Sequence, residues 1–241
     1  MAKILAIGNS FSENANRYFH DIAHACGVFQ KNVNLCIGGC SLSRHYRNIM
    51  GNFEAYDFQF NGVSTDLMVS MDKILLSDNW DYITIQQASY ESFDWQKYEP
   101  YIRALAEHIR LLCPGAKLGI HESWAYSNIE RLNKFGFENP MAMYEKVKEC
   151  YEKAAKAIDA DFYIPSGEIM MEGMKHGLNV HADDGSHAGT LGEYMLGLAW
   201  NSVLNKKNAS GNTFRIENGL IEEDRYLDMQ KIVDNILARQ L

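Results

Sequence analysis

The stretch "KILAIGNSFSEN", residues 3–14, sets four apolar residues in a row, stops at Gly8 and puts Ser10 on a corner ahead of a helical pattern. An uninterrupted apolar run of this length suits a strand buried on both faces, as in the middle of a parallel sheet. Gly and Asn are common wherever a strand turns, so the corner could be punctuation alone. In an open parallel sheet, however, the carboxyl ends of strands are also where ligands gather.

The same rhythm recurs along the chain. Strands are expected at 3–8, 32–37, 81–86, 116–121 and 161–164, separated by amphipathic stretches at 14–26, 101–112, 140–158 and 190–204 with apolar residues at helical spacing. Alternating strands and helices predict an α/β fold, a three-layer α/β/α sandwich around a parallel sheet of about five strands. The Asn-Gly pair in "FQFNGVST" (58–65) predicts a small hairpin that interrupts the alternation. The segment 221–241 should end in an amphipathic helix, and "NKKNASGNT" (205–213) has the composition of a linker. A length of 241 residues without repeats fits a single domain over 1–241.

Charge and composition narrow the function classes. The net charge is −8, from 23 Lys and Arg against 31 Asp and Glu, with no basic cluster, so nucleic acid is not an expected partner. No window approaches the roughly 20 apolar residues of a membrane span. The first residues are too short an apolar run for a secretory leader, and five cysteines without a paired C-x-x-C suit buried free thiols. A reducing, cytoplasmic setting is therefore expected. His20 and His24 lie four apart on a helical pattern without a third ligand, so no metal site is read there. A dinucleotide site would need G-x-G-x-x-G where only Gly8 stands, and no Gly-Lys-Ser or Gly-Lys-Thr phosphate loop is present.

A serine at a strand end acts as a nucleophile only with a base, a carboxylate that orients the base, and donors for the oxyanion. In "HADDGSHAGT" (181–190), Asp184 and His187 stand two residues apart in a polar loop before a helix, and Asp183 is a nearby substitute. One imidazole nitrogen can meet the carboxylate while the other faces Ser10. Oxyanion donors would be the Ser10 and Gly39 amides and a side-chain amide from Gln86 or Gln87. Strand alternation points those two glutamines to opposite faces, with Gln86 slightly favoured. Trp124 and Tyr126, after the fourth strand, are candidates to stack on a sugar ring. The mid-chain Gly-x-Ser-x-Gly elbow of another serine-hydrolase fold is missing.

Taken in order, GNSFS at the first corner, N-x-x-I-G-G after the second strand and D-x-x-H near the carboxyl end resemble the SGNH, or GDSL-type, hydrolase superfamily of esterases and acetylesterases. The resemblance implies a flavodoxin-like sandwich and a Ser-His-Asp triad of Ser10, His187 and Asp184, with Gly39 in the oxyanion hole. It implies no cofactor. The substrate would be a carbohydrate or small-molecule ester bearing an acetyl or other short acyl group. Two departures stand out. The first block reads Gly-Asn-Ser in place of Gly-Asp-Ser, with no role evident for Asn9, and "QQASYES" (86–92) replaces the Gly-x-Asn-Asp block. The latter looks like carbohydrate-esterase branches in which a Gln is the donor. The same residues would serve an acyltransferase, and the departures would suit a glycan-binding module that has lost catalysis.

Overall fold

The structure is a computed structural model describing residues 1–216, 219 and 221–239. The five apolar runs form β1 (Ala2–Gly8), β2 (Gln30–Cys36), β5 (Tyr82–Ile85), β6 (Lys117–His121) and β7 (Phe162–Ile164). They pair in parallel in the spatial order β2-β1-β5-β6-β7, the flavodoxin-like arrangement. Ile4, Leu5, Ala6 and Ile7 are all buried, as the centre of such a sheet requires.

The Asn-Gly hairpin does more than interrupt. Its strands β3 (Tyr56–Phe60) and β4 (Val63–Val69) join the sheet antiparallel beside β2 and extend it to seven strands. Asn34 on β2 donates to Gln59 on β3 at 2.7 Å, a buried contact that helps hold the pairing.

The helical stretch expected at 14–26 is two helices, α1 (Ser10–Asn16) and α2 (Phe19–Ala25). The Asn9 side chain caps α1 by accepting from the Phe11 amide at 3.0 Å, which starts the helix at Ser10 instead of Asn14. At its other end Asn16 donates its amide to the Ser12 carbonyl at 2.7 Å, a local side-chain bond of the kind that competes with helix continuation.

Helices α3 (Leu42–Gly51), α4 (Met71–Leu75), α5 (Tyr101–Leu112) and α7 (Pro140–Ala157) pack together as one covering layer. Helices α1 and α2 form the other with α8 (Ser166–Lys175), α9 (Thr190–Asn205) and α10 (Glu223–Leu237). A short α6 (Ile129–Lys134) lies between β6 and α7. Positions 240 and 241 of the expected terminal helix fall outside the described residues.

The linker-like segment is tied down. The amides of Ala209 and Ser210 donate to the Asp234 carboxylate at 2.7 and 2.9 Å, and buried Asn212 donates to the Ile22 carbonyl at 2.9 Å. Its Gly, Ser and Asn residues provide backbone donors and short polar side chains for α10 and α2. All five cysteines are free thiols. Among the described residues, no helix is long and apolar enough to cross a membrane.

Candidate active site

Ser10 is the first residue of α1, directly beyond β1, so its hydroxyl stands at the carboxyl edge of the sheet. Asn9 fixes this corner. While its Oδ1 caps α1, its Nδ2 donates to the carbonyls of Cys40 at 3.2 Å and Gln87 at 3.4 Å. One buried amide thus ties the end of β1 to the segments that follow β2 and β5. A carboxylate could make the cap but could donate to neither carbonyl. This is the role of Asn9 that could not be read from the first block.

The loop 181–189 brings the other partners. His187 Nε2 lies 2.9 Å from Ser10 Oγ, and His187 Nδ1 lies 2.5 Å from Asp184 Oδ2. Asp184 Oδ1 accepts from the Ser186 and His187 amides at 2.9 and 3.0 Å. Partial burial opposes ionisation of Asp184, but these hydrogen bonds outweigh it and hold the carboxyl at about 2. The imidazole and carboxylate side chains remain 40% and 42% exposed, so the group opens to solvent. Asp183, the substitute, is exposed beside this chain, which runs through Asp184.

The loop is closed on itself and hung from its surroundings. The Ala182 amide donates to the His187 carbonyl at 2.9 Å, and the Gly189 amide donates to the Val180 carbonyl at 2.9 Å. Gly185 turns the loop at φ +64°, and a Cβ there would meet the Asn128 backbone nitrogen at 2.8 Å, so glycine is needed twice over. Asn14 Oδ1 accepts from the Ala188 amide at 3.2 Å while its Nδ2 donates to Glu193 at 2.8 Å, clipping the loop to α1 and α9. His181 contacts the Ala125 carbonyl through Nε2 at 2.9 Å, and burial pushes its pKa down.

Trp124 and Tyr126 need correction as stacking platforms, because both are fully buried. Trp124 is instead a strut: it stacks on Phe11 at 4.1 Å, and its Nε1 donates to the Ser186 carbonyl at 2.8 Å. Phe11 also meets His187 edge-on at 5.6 Å. The tryptophan therefore joins the residue after Ser10 to the residue before His187. Tyr126 pairs its hydroxyl with Ser89 Oγ at 2.9 Å.

The expected side-chain donor also needs correction. Gln87 spends its amide on structure, accepting from Leu42 and Ala88 at 2.9 Å each and donating to the Lys97 carbonyl at 3.0 Å. Gln86 has an unpartnered amide, but its Nε2 and Oε1 are closed off from solvent, and Oε1 lies against Gly8. Neither presents an amide to an incoming ester.

Backbone donors remain at Ser10 and Gly39. Gly39 sits in the exposed turn Ile37–Cys40 at φ +60°, a left-handed position suited to glycine, and neither its amide nor that of Ser10 is spent on a partner among the described residues. Tyr90, 41% exposed, donates its hydroxyl to the Gly39 carbonyl at 3.1 Å and forms the rim there. Ser89, Tyr90, Arg131 and Ser186 complete the surroundings. Ser89, Tyr90 and Ser186 lie inside the quoted blocks, but their roles, and that of Arg131, show only in the folded contacts. No group of three or more His, Cys, Asp or Glu among the described residues is arranged to hold a metal ion.

Comparison with known proteins places the chain in a family and its fold among known folds. The family model "Domain of unknown function (DUF4886)" matches residues 3–225. A crystal structure of a DUF4886 family protein from Bacteroides uniformis is 31% identical, with a TM-score of 0.91 over 99% of this chain and 95% of that one. A member of the lipolytic protein G-D-S-L family from Veillonella parvula superposes with a TM-score of 0.57 at 14% identity, over 86% of this chain and 100% of that one. An acetyl xylan esterase gives 0.57 at 13% identity, over 84% and 100%. No functionally curated protein matches the sequence. The chain belongs to the DUF4886 family and has the fold seen in SGNH hydrolase structures.

Proposed function

We propose that this DUF4886 protein is a serine ester hydrolase that removes acetyl or other short acyl groups through Ser10, His187 and Asp184. The observation that carries the reading is the continuous hydrogen-bond chain from Ser10 Oγ through both imidazole nitrogens of His187 to Asp184. The superposition on an acetyl xylan esterase supports an acetyl ester as the kind of substrate.

In this mechanism Ser10 Oγ attacks the ester carbonyl while His187 Nε2 takes its proton. Asp184, ionised at neutral pH, fixes the imidazole tautomer and stabilises the imidazolium. The negative oxygen of the tetrahedral intermediate accepts from the Ser10 and Gly39 amides, aided by the positive end of the short helix α1. The intermediate collapses to the acyl-serine, and the departing alkoxide takes the proton from His187. Water, admitted by the open site, then repeats the cycle and releases the carboxylic acid.

Hydrolysis of p-nitrophenyl acetate by Ser10→Ala and His187→Ala tests this. Each variant should lose about 10⁴-fold or more in kcat, with circular dichroism and melting unchanged. Activity within tenfold of wild type in either variant would sink the assignment.

A further inference from the structure

A partial ring of contacts ends at Ser10. Starting at Gly39, it passes to Tyr90 by the hydroxyl-to-carbonyl bond and along the chain to Ser89, whose Oγ lies 2.9 Å from the Tyr126 hydroxyl. The Arg131 guanidinium lies 4.9 Å over the Tyr126 ring, and its Nη1 donates to Ser186 Oγ at 2.7 Å. Ser186 adjoins His187, which reaches Ser10 at 2.9 Å.

Arg131 brings a formal positive charge to this ring, on a chain whose net charge is −8. Its guanidinium is exposed and makes no ion pair among the described residues, whereas Arg103 and Arg215 are paired with Glu99 and Glu223. The nearby carboxylate of Asp184 is engaged by His187 and by two amides. One face of the guanidinium is held by the tyrosine ring and one N–H by Ser186. The remaining N–H groups are free for a ligand among the described residues.

The oxyanion donors of Ser10 and Gly39 define one side of the reacting carbon, and the leaving oxygen must approach His187 to receive its proton. Arg131 is bonded to Ser186, the residue before His187, which puts a positive charge beside the loop that protonates the leaving oxygen. Building on the esterase reading, we propose that the alcohol half of the natural substrate carries a carboxylate, which Arg131 binds. A planar guanidinium held against an aromatic ring is well suited to grip a carboxylate with two parallel hydrogen bonds.

Two isosteric probes, 4-acetoxybenzoate and 4-acetoxybenzamide, put a carboxylate or a neutral amide on the alcohol half. Wild type should prefer the carboxylate by about tenfold in kcat/KM, and 0.5 M salt should shrink that preference. In Arg131→Gln the ratio between the probes should fall to near one, chiefly through KM for the carboxylate. If Arg131 only braces Ser186, both probes will lose kcat together and the ratio will persist, which overturns the proposal. A wild-type ratio of one or less overturns it without any variant. Should Arg131→Gln fail to fold, inhibition of wild type by 4-hydroxybenzoate against 4-hydroxybenzamide reads the same preference. Equal inhibition contradicts the proposal.

A fluorophosphonate probe separates this outcome from failure of the esterase reading. Protein that labels at Ser10 and hydrolyses the amide probe, but shows no preference, loses only the carboxylate proposal. Protein that neither labels nor hydrolyses loses both.

Discussion

The corner at Gly8–Ser12 and the loop at His181–Gly189 hold opposite ends of one hydrogen-bond chain, and they are built in different ways. The corner is welded into the sheet: buried Asn9 bonds to the segments that follow two other strands and to the helix that comes next. The loop hangs from separate side chains, Trp124, Asn14 and Arg131, each touching it at one place, and its two working side chains are about 40% exposed. The nucleophile is thus placed by the sheet itself, whereas the base is placed by a loop held at several separate points. Damage at the corner should therefore cost stability and activity together. Damage in the loop should cost mainly activity.

The largest effect expected from breaking this contrast in the loop is that of Asp184→Asn. The change keeps the shape but lets Nδ1 of His187 lose its anionic partner, so kcat should fall about 10³- to 10⁴-fold while the protein stays folded with a modestly lower melting temperature. Steady-state kinetics and a melting curve on the same sample check it.

At the corner, Asn9→Asp is the sharper probe, because Asp caps helices about as well as Asn. A mere cap would make the change neutral. The tie predicts instead the loss of two donor bonds and a carboxylate facing two carbonyl oxygens, costing about 2–4 kcal/mol, more than Asn9→Ala. Denaturant unfolding of the two variants decides between these, and the Asp variant should also lose activity.

The smallest effect concerns Glu122, two residues before Trp124. Its Oε2 accepts from the Gly167 and Glu168 amides at 2.8 and 3.3 Å, at the start of α8. Burial pushes its carboxyl up from an ordinary 4.5 to about 7, against the lowering effect of those amides. Such a group holds its proton more tightly in the folded state than in the unfolded one. Its contribution to stability is complete below pH 4.5 and is lost as pH rises through 7, by on the order of 3 kcal/mol. Asp184 behaves in the opposite sense: its contribution is present above 3.8 and lost as pH falls through about 2. Glu122→Gln should therefore flatten the decline in stability between pH 4.5 and 7. An unchanged slope in urea titrations across that range would contradict the assignment.

The strands were legible because a parallel sheet buries both faces, and that leaves continuous apolar runs such as Ile4–Ile7. The break between α1 and α2 was not, because apolar spacing runs through it and the competing bonds are made by Asn9 and Asn16 side chains. The hairpin showed in Asn61-Gly62, but its attachment to β2 depends on pairing between distant segments. At the site, Ser10, Asp184 and His187 stood out because nucleophile, base and acid must be particular residue types. Trp124 misled because aromatic identity does not tell whether a ring faces a ligand or the core. Gln86 and Gln87 were chosen for having an amide, and only their partners and burial show that neither amide is free to meet substrate. Arg131 carried no signal, since an arginine on a short helix is ordinary until its contacts place it beside the loop.

The central claim, that Ser10 is an activated nucleophile, is tested most directly by treating the protein with a fluorophosphonate and locating the adduct by peptide mass spectrometry. A single adduct on Ser10 in wild type, lost in His187→Ala at equal folding, is the expected result. No adduct on folded wild-type protein, or an adduct on another serine, would contradict it.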